Sequence, residues 1–502
     1  MSPSIAIAVS LVLPLLGAIG VLLTGRWPNI RETVTLATGV STFGAVCTLV
    51  PHVLAGERPA LEVLEVAPGM KIAFEVEPLG MLFALVASGL WIVTSLYAIG
   101  YMRGHHEKNQ TRFFVCFALA ISAALGIAYS ANLFCLFLFY ETLTFSTYPL
   151  VTHHGTPKAV AAGRLYLGIL VSTSVAFLLL AVIWTYGIAG TLDFKPGGIL
   201  ADKASGPGVA LLLALFAFGT GKAALMPFHR WLPAAMVAPT PVSALLHAVA
   251  VVKAGVFTVV KVVVYVFGIE FLTSQGASVW LMWAASFTLL TSSVIALTQD
   301  NLKARLAYST VSQLAYITLG AALASPAGVI GAGMHIAMHA MGKITLFFCA
   351  GALMVGAHKT EISTMDGIGR KMPFTMGAFF LGSLSIIGLP PMGGSWSKWH
   401  LALGAAQADQ HIFIGVLMIS SLLSIAYLMP VVGRAFFIAP PEEHHEDPHS
   451  DEHHHDVSTL HHWGLAEAPI LCFVPPLITS AGCILLFVYA DALYTLLLPL
   501  GG

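Results

Sequence analysis

Charge is scarce in this sequence. Asp, Glu, Lys and Arg make up 9% of its 502 residues, against about 25% in a soluble domain. With 57% hydrophobic residues and a mean hydropathy of +0.85, that deficit excludes a soluble globular protein. The formal net charge is −1, which removes the basic balance that nucleic-acid binding needs. Cysteine is scarce too. Cys47, Cys116, Cys135, Cys349, Cys472 and Cys483 all lie in apolar stretches without CxxC spacing. No zinc or dithiol centre is written there, and the six read as small buried hydrophobes. The opening stretch MSPSIAIAVSLVLPLLGAIGVLLT has no basic region ahead of its apolar run. It is expected to be a retained first span rather than a signal peptide.

What the chain has in abundance is long apolar runs. Stretches of about 20 residues or more mark spans. They lie near residues 4–24, 33–55, 78–102, 112–130, 132–153, 161–189, 208–228, 241–267, 277–298, 302–323, 327–356, 373–404, 411–437 and 468–499. The fold class this predicts is an all-α integral membrane protein of about fourteen transmembrane helices. One set of alternate connections holds Arg26, Arg31, Arg103, Lys108, Arg112, Lys158, Arg164, Arg230, Lys303, Arg305, Lys359, Arg370, Lys371 and Arg434. The other set holds Arg58, Lys71, Lys195 and Lys203. The first set is therefore expected to be cytoplasmic, and an even number of spans puts both termini outside. Residues 61–78, LEVLEVAPGMKIAFEVEP, alternate on both sides of Pro68-Gly69 and predict a β-hairpin outside the membrane. The 6–7 loop, Thr191 to Pro207, reads as an exposed connection. Residues 440–462 are rich in histidine and acid, and a solvated loop or a metal-buffering tract would both fit.

Ionisable residues inside spans pair with one another or with water and mark ion paths. Five lysines remain once loops and span ends are removed: Lys222, Lys253, Lys261, Lys343 and Lys398. Glu141, in LFCLFLFYETLTFSTYPLV, is the one carboxylate expected deep in a span, and Lys222 is its candidate partner. Lys222 lies in a stretch interrupted by prolines at 227, 233, 239 and 241. A break at membrane depth is tolerated only against protein or a watery cavity. His247 and Lys253 are six residues apart on the eighth span, about 600° of regular helix, so they would border one cavity from two sides. Lys261 either joins them or reaches to the interface. On the eleventh span, MHIAMHAMGKITLFF, His335, His339 and Lys343 recur every four residues and share one face. Histidine titrates near neutrality, and three such groups on one membrane helix read as a proton relay. The twelfth span, SIIGLPPMGGSWSKWH, repeats the seventh: a break at Pro390, Pro391, Gly393 and Gly394 followed by Lys398. Broken spans five apart predict two inverted five-helix repeats.

The chain thus divides into an N-terminal part with the hairpin (1–110), a first five-helix repeat (111–268), a second (269–437), the His/acid-rich loop (438–467) and a last span (468–502).

Five pieces carry a resemblance: FYETLTFSTYPL, GKAALMPFHRWLPAAMVAPTPVSALLHAVAVVKAG, DNLKARLAYSTVSQLAYI, MHIAMHAMGK and GLPPMGGSWSK, in that order between residues 139 and 398. They resemble the antiporter-like subunits of respiratory complex I and of Mrp-type multisubunit sodium/proton antiporters. LLHAVAVVKAG and the terminal Lys398 look most like the D-type Mrp subunit, as does a chain that ends soon after its last span. The resemblance implies that Glu141 pairs with Lys222 and that Lys253 is the central lysine, with His247 beside it. It further implies that His335, His339 and Lys343 form a hydrated axis and that Lys398 exchanges protons with the outside. Tyr308, Ser309, Thr310, Ser312, Gln313 and Tyr316 match a tenth span rich in hydroxyls that holds water.

The expected function is a proton-translocating transporter subunit of a multisubunit Na⁺/H⁺ antiporter in the cell inner membrane, with other membrane subunits as partners and no cofactor or metal of its own. The alternative is the same role in a redox-driven complex, whose flavin, quinone or iron–sulfur chemistry would belong to partners. A non-transporting scaffold is the third reading. No oxygen-rich cage for Na⁺ is apparent, so sodium coupling would fall to partner subunits.

Overall fold

The computed structural model describes residues 1–67, 69–201, 203–440 and 466–501. The first six helices are α1 (Pro3–Leu23), α2 (Pro28–Cys47), α3 (Pro78–Gly104), α4 (Gln110–Tyr129), α5 (Leu133–Val151) and α6 (Pro157–Ala189). They are followed by α7 (Pro207–Gly219), α8 (Thr240–Phe267), α9 (Val279–Thr298), α10 (Leu302–Ala322) and α11 (Pro326–Ala357). The last four are α12 (Pro373–Ile387), α13 (Gly394–Gln407), α14 (Ile412–Phe437) and α15 (Ile470–Val488). Helix thus occupies each of the fourteen apolar stretches. Among the described residues, eleven helices are long and apolar enough to cross a membrane. The protein is an all-α, multi-span integral membrane protein.

Proline opens α1, α2, α3, α6, α7, α11 and α12, where its missing N–H would be unpaired in any case. Side-chain caps fix other starts. Asn132 accepts from Cys135 N, Asn301 from Ala304 N and Ser325 from Gly328 N, each cap worth about 1 kcal/mol.

The expected hairpin is present. Strand β1 (Ala60–Ala67) pairs antiparallel with β2 (Met70–Glu75), Ala60 opposite Glu75 and Ala67 opposite Met70. Pro68 lies outside the described residues, as do residues 441–465 of the His/acid-rich loop. The 6–7 loop is exposed at Asp193, residues 195–197, Lys203 and residues 205–207, as expected, but one part of it turns inward. Ile199 and Leu200 are buried, and their N–H groups donate to Val266 O at 2.9 and 3.1 Å. They cover the end of α8, where a π turn leaves carbonyls free to accept.

α8 is the buried axis of the bundle, sheathed along its whole apolar window. The broken spans are seven and twelve, as the prolines and glycines indicate, but the eighth is irregular too. π turns at Leu245–Val249 and Val263–Phe267 flank its central turns, and Ala250 sits at φ −121°, ψ −63°. The 600° reckoning between His247 and Lys253 therefore fails, because a π turn adds a residue to the winding. The cysteines are free, and all but Cys47 are buried.

In lipid, helices associate through close packing rather than hydrophobic collapse, so small residues sit at the tightest contacts. At Gly255 a Cβ would lie 2.3 Å from Ala223 N and from the Lys222 carbonyl carbon. This glycine lets α8 lie directly on the backbone that carries Lys222. Gly255→Val is expected to destabilise the chain by about 1–3 kcal/mol and to displace Lys222. Fluorescence-detected size-exclusion chromatography after heating should show the lower melting point; an unchanged profile would remove the close approach as a requirement.

Candidate functional site

The chain after α7 turns once as a 3-10 helix, Gly221–Ala223, and Lys222 sits on that turn with no solvent exposure. Its Nζ donates to Tyr140 O at 2.8 Å and Thr144 Oγ1 at 2.6 Å, and lies 3.2 Å from the Tyr140 ring centroid. Its backbone N–H donates to Tyr140 Oη at 3.0 Å. The anticipated Glu141–Lys222 ion pair does not form. Successive residues on a helix point about 100° apart, and it is the Tyr140–Thr144 face of α5 that meets Lys222. Glu141 is half-buried, with Oε1 unpartnered. It is also not the chain's most deeply placed carboxylate, since Glu32, Glu77 and Glu467 are more buried.

Lys253, one turn past the irregular stretch of α8, contacts His339 directly, Nζ to Nδ1. An ammonium has donors only, so this contact requires a lone pair on the imidazole, or else a neutral amine facing an imidazolium. The contact puts the amine and the imidazole within reach of direct proton exchange. The His339 ring stacks with that of His335, centroids 5.9 Å apart, as the four-residue repeat predicts. His335 contacts Ser397 Oγ through Nδ1 at 2.8 Å and Gln313 Oε1 through Nε2 at 3.1 Å. The two ring nitrogens of His335 thus link Ser397 on α13 to Gln313 on α10. The ring also lies 5.5 Å from Tyr316.

Lys398 lies at the far side of Tyr316, 4.6 Å from the ring centroid. Its Nζ donates to Ile387 O at 2.9 Å and Ser421 Oγ at 3.1 Å. Ile387 ends α12, so the break supplies an unpaired carbonyl to the lysine. Lys343 donates to Ser309 Oγ at 2.6 Å, and Ser309 is 2.9 Å from Tyr427 Oη. His247 stacks near Phe347 at 4.7 Å, and both its ring nitrogens are buried without a protein partner.

The structure therefore brings Lys253, His339, His335 and Lys398 into one row, with Lys343 and His247 beside it. Lys222 is held apart by α5 hydroxyls and carbonyls. Gln313, Ser309 and Tyr316 of the hydroxyl-rich tenth span touch His335, Lys343 and Lys398 directly. Thr144 and Ser397 were not singled out in the sequence. Their signal is spacing: Thr144 is one turn from Tyr140, and Ser397 precedes Lys398.

Lys261 does not reach an interface. It is 1% exposed, donates to Ser130 O at 2.9 Å and lies 3.4 Å from Glu77 Oε1. Tyr265 Oη donates to the other carboxylate oxygen at 3.0 Å. Glu77 stands at the start of α3, beyond its apolar run, which hid it from a search for charges within spans. Among the described residues no group of three or more His, Cys, Asp or Glu is placed to hold a metal.

The family described as "NADH:quinone oxidoreductase/Mrp antiporter, TM" matches residues 130–424, and "NADH-Ubiquinone oxidoreductase (complex I), chain 5 N-terminus" matches residues 68–114. The NADH-quinone oxidoreductase subunit N of Desulforudis audaxviator is 35% identical over 410 residues, covering 81% of each chain. The NAD(P)H-quinone oxidoreductase chain 5 of a Synechocystis strain is 29% identical over 80% of this chain, which spans 62% of that relative's length. Two solved structures share the fold. A chain of the Mrp complex from a Dietzia strain superposes with a TM-score of 0.80 at 23% identity, covering 98% of this chain and 97% of its own. A chain of an archaeal membrane-bound sulfane sulfur reductase superposes with a TM-score of 0.82 at 24% identity, covering 99% and 96%. With a family match over more than half its length and a relative of this identity and coverage, the chain belongs to the antiporter-like membrane subunits of NADH:quinone oxidoreductases and Mrp antiporters.

Proposed function

We propose that this chain moves protons across the membrane as one subunit of a multisubunit cation/proton antiporter, most like a D-type Mrp subunit, in a cell inner membrane with both termini outside. The observation that carries the reading is the row of titratable side chains, buried at Lys253, His339 and His335 and half-buried at Lys398, with Lys253 against His339, His339 stacked on His335, and Lys398 beyond Tyr316. Two unit charges about 4 Å apart at an effective dielectric of about 20 repel by about 4 kcal/mol. Lys253 and His339 thus favour one proton at a time, and loading one end drives release toward the other. In this scheme Lys222 and Glu141 set the local field. The two side chains act on one another through space, while Lys222 stays hydrogen-bonded to Tyr140 O and Thr144 Oγ1. Protons arrive from the basic end of the bundle and leave past Lys398. Spans four to eight and nine to thirteen act as inverted halves, each with a broken helix and a buried lysine. Sodium coupling belongs to partner subunits.

The names of the curated relatives favour a second reading, in which the same row serves a redox-driven complex and the oxidoreductase chemistry sits in partners. Purifying the native complex in mild detergent and identifying the co-purifying chains separates the two. Small membrane subunits and a sister antiporter-like chain, with Na⁺-dependent dequenching of a pH dye in inverted vesicles, are expected. Partners that carry flavin or iron–sulfur clusters would overturn the antiporter reading in favour of the second.

A further inference from the structure

A second cluster of titratable groups lies at the basic end of the bundle, away from the row. α3 ends at Gly104, and the next residues fold back so that His105 Nδ1 meets Glu107 Oε1 at 3.1 Å. The turn after α5 brings two more rings to the same carboxylate. His154 Nδ1 is 3.6 Å and His153 Nε2 is 3.8 Å from Glu107 Oε2. The cluster is graded in depth. The side chains of His105 and His154 are about one third exposed, that of Glu107 is 6% exposed, and His153 is buried. Both ring nitrogens of His153 lack a hydrogen-bond partner in the protein. Arg112 binds the His153 carbonyl at 2.8 Å, and Lys108 also borders the ring.

From this cluster a line of buried polar atoms runs inward. The His105 ring stacks on Tyr101 at 5.7 Å, and Tyr101 stacks near Tyr97 at 6.0 Å. Both tyrosines lie on the inner face of α3, where Tyr101 borders Thr240. On α8, Thr240, Ser243 and His247 are three and four residues apart and share one face. Thr240 Oγ1, Ser243 Oγ, Tyr97 Oη and both His247 nitrogens are all buried, and none has a partner in the protein. Gly351 of α11 keeps the line narrow, since a Cβ there would lie 1.9 Å from Tyr97 Oη and 2.9 Å from Thr240 Cβ. Buried polar atoms are almost always satisfied. A row of orphans on facing helices is a place for water. Lys303, whose Nζ donates to Ala238 O at 2.7 Å, flanks the line and senses both Glu107 and His247.

We propose that Glu107 and the three histidines around it are the proton-collecting mouth of an inlet that runs past Tyr101, Thr240, Tyr97 and Ser243 to His247. The inlet rests on the proposed proton path and gives it a mouth distinct from the Lys222–Glu141 region. A proton taken from bulk water by the exposed rings passes through Glu107 and His153. Hydroxyls and water carry it to His247, beside Lys253 and Lys343. Arg112 and Lys303 flank the cluster with positive charge. Burial pulls His153 below its ordinary range against the opposing pull of Glu107, so it releases the proton it receives.

The test measures proton uptake with a pH dye in inverted vesicles containing the whole complex, for Glu107→Gln, Glu107→Asp, Tyr97→Phe and Lys253→Ala. Glu107→Gln is expected to slow uptake by about 100-fold and to flatten its dependence on pH between about 5 and 8, where histidine titrates. Glu107→Asp should restore most of the rate. Tyr97→Phe keeps the ring and loses the hydroxyl, and it should slow uptake with the same amount of protein in the membrane. Wild-type rates and pH profiles in both Glu107→Gln and Tyr97→Phe, with Lys253→Ala inactive, would overturn the inlet and leave the central row standing. Normal uptake in Lys253→Ala would instead remove the row, and the inlet with it.

Discussion

Lys253→Ala is expected to lower proton movement by about 100-fold or more, with the chain still inserted and assembled. The magnitude follows from the work a placed acid–base group does, roughly two to four powers of ten, and from the absence of a substitute. His339 Nδ1 is the contact of Lys253 Nζ, and the His339 Nε2 atom has no partner in the protein. Without the lysine, the row loses the group that feeds His339. Lys253→Arg discriminates a relay from a scaffold. A guanidinium keeps the charge but does not release its proton in a protein. A relay therefore fails in Lys253→Arg nearly as completely as in Lys253→Ala, whereas a structural cation would be replaced. Initial rates of dye dequenching in inverted vesicles, normalised to the amount of complex, give the comparison. A wild-type rate for Lys253→Arg would end the relay interpretation.

Most of the architecture could be read from apolar run length, because a bilayer imposes about 20 residues on a crossing helix and few other patterns mimic that. The histidine ladder of α11 was equally plain, since a continuous helix turns a spacing of four into a shared face. The breaks at Lys222 and Lys398 were visible through Pro and Gly. The irregularity of α8 was not. Residues 245–249, LLHAV, are ordinary helix formers, and the π turn comes from how α8 fits against its neighbours rather than from their own preference. Charge pairing failed for a related reason. Elimination assigned Lys222 to Glu141 because both lie in spans, yet the lysine's donors are met by a backbone carbonyl and a hydroxyl. Uncharged partners leave no mark in a search restricted to charges. Glu77 was passed over because Pro78 follows it and a strand precedes it, so it reads as loop. Its burial comes from α8, far away in sequence.

Glu77 therefore carries the largest expected stability effect. Its two oxygens accept from Leu79 N at 2.7 Å and Gly80 N at 2.9 Å, which caps α3. The same oxygens receive the Tyr265 hydroxyl and face Lys261. With Glu77 3% and Lys261 1% exposed, Glu77→Ala removes a cap worth about 1 kcal/mol and strands a buried ammonium. Removing one partner of a buried pair costs about 3–5 kcal/mol, mostly through the charge left behind. Lys261→Met leaves a carboxylate that still has two backbone donors and a hydroxyl, so it should be milder. The double variant Glu77→Ala/Lys261→Met should be more stable than Glu77→Ala alone, short of wild type by about the value of the cap. Denaturant titration of the detergent-solubilised chain, read as a double-mutant cycle, supplies the coupling energy. If the double variant is as unstable as the two single losses added together, the pair does not act as a unit. Because Lys261 is clamped by a carboxylate and a carbonyl, the double variant should also transport normally per folded molecule, in contrast to Lys253→Ala. The two lysines occupy one helix and are equally buried. What separates them is the partner: a carboxylate holds its proton in place, and an imidazole can take it away.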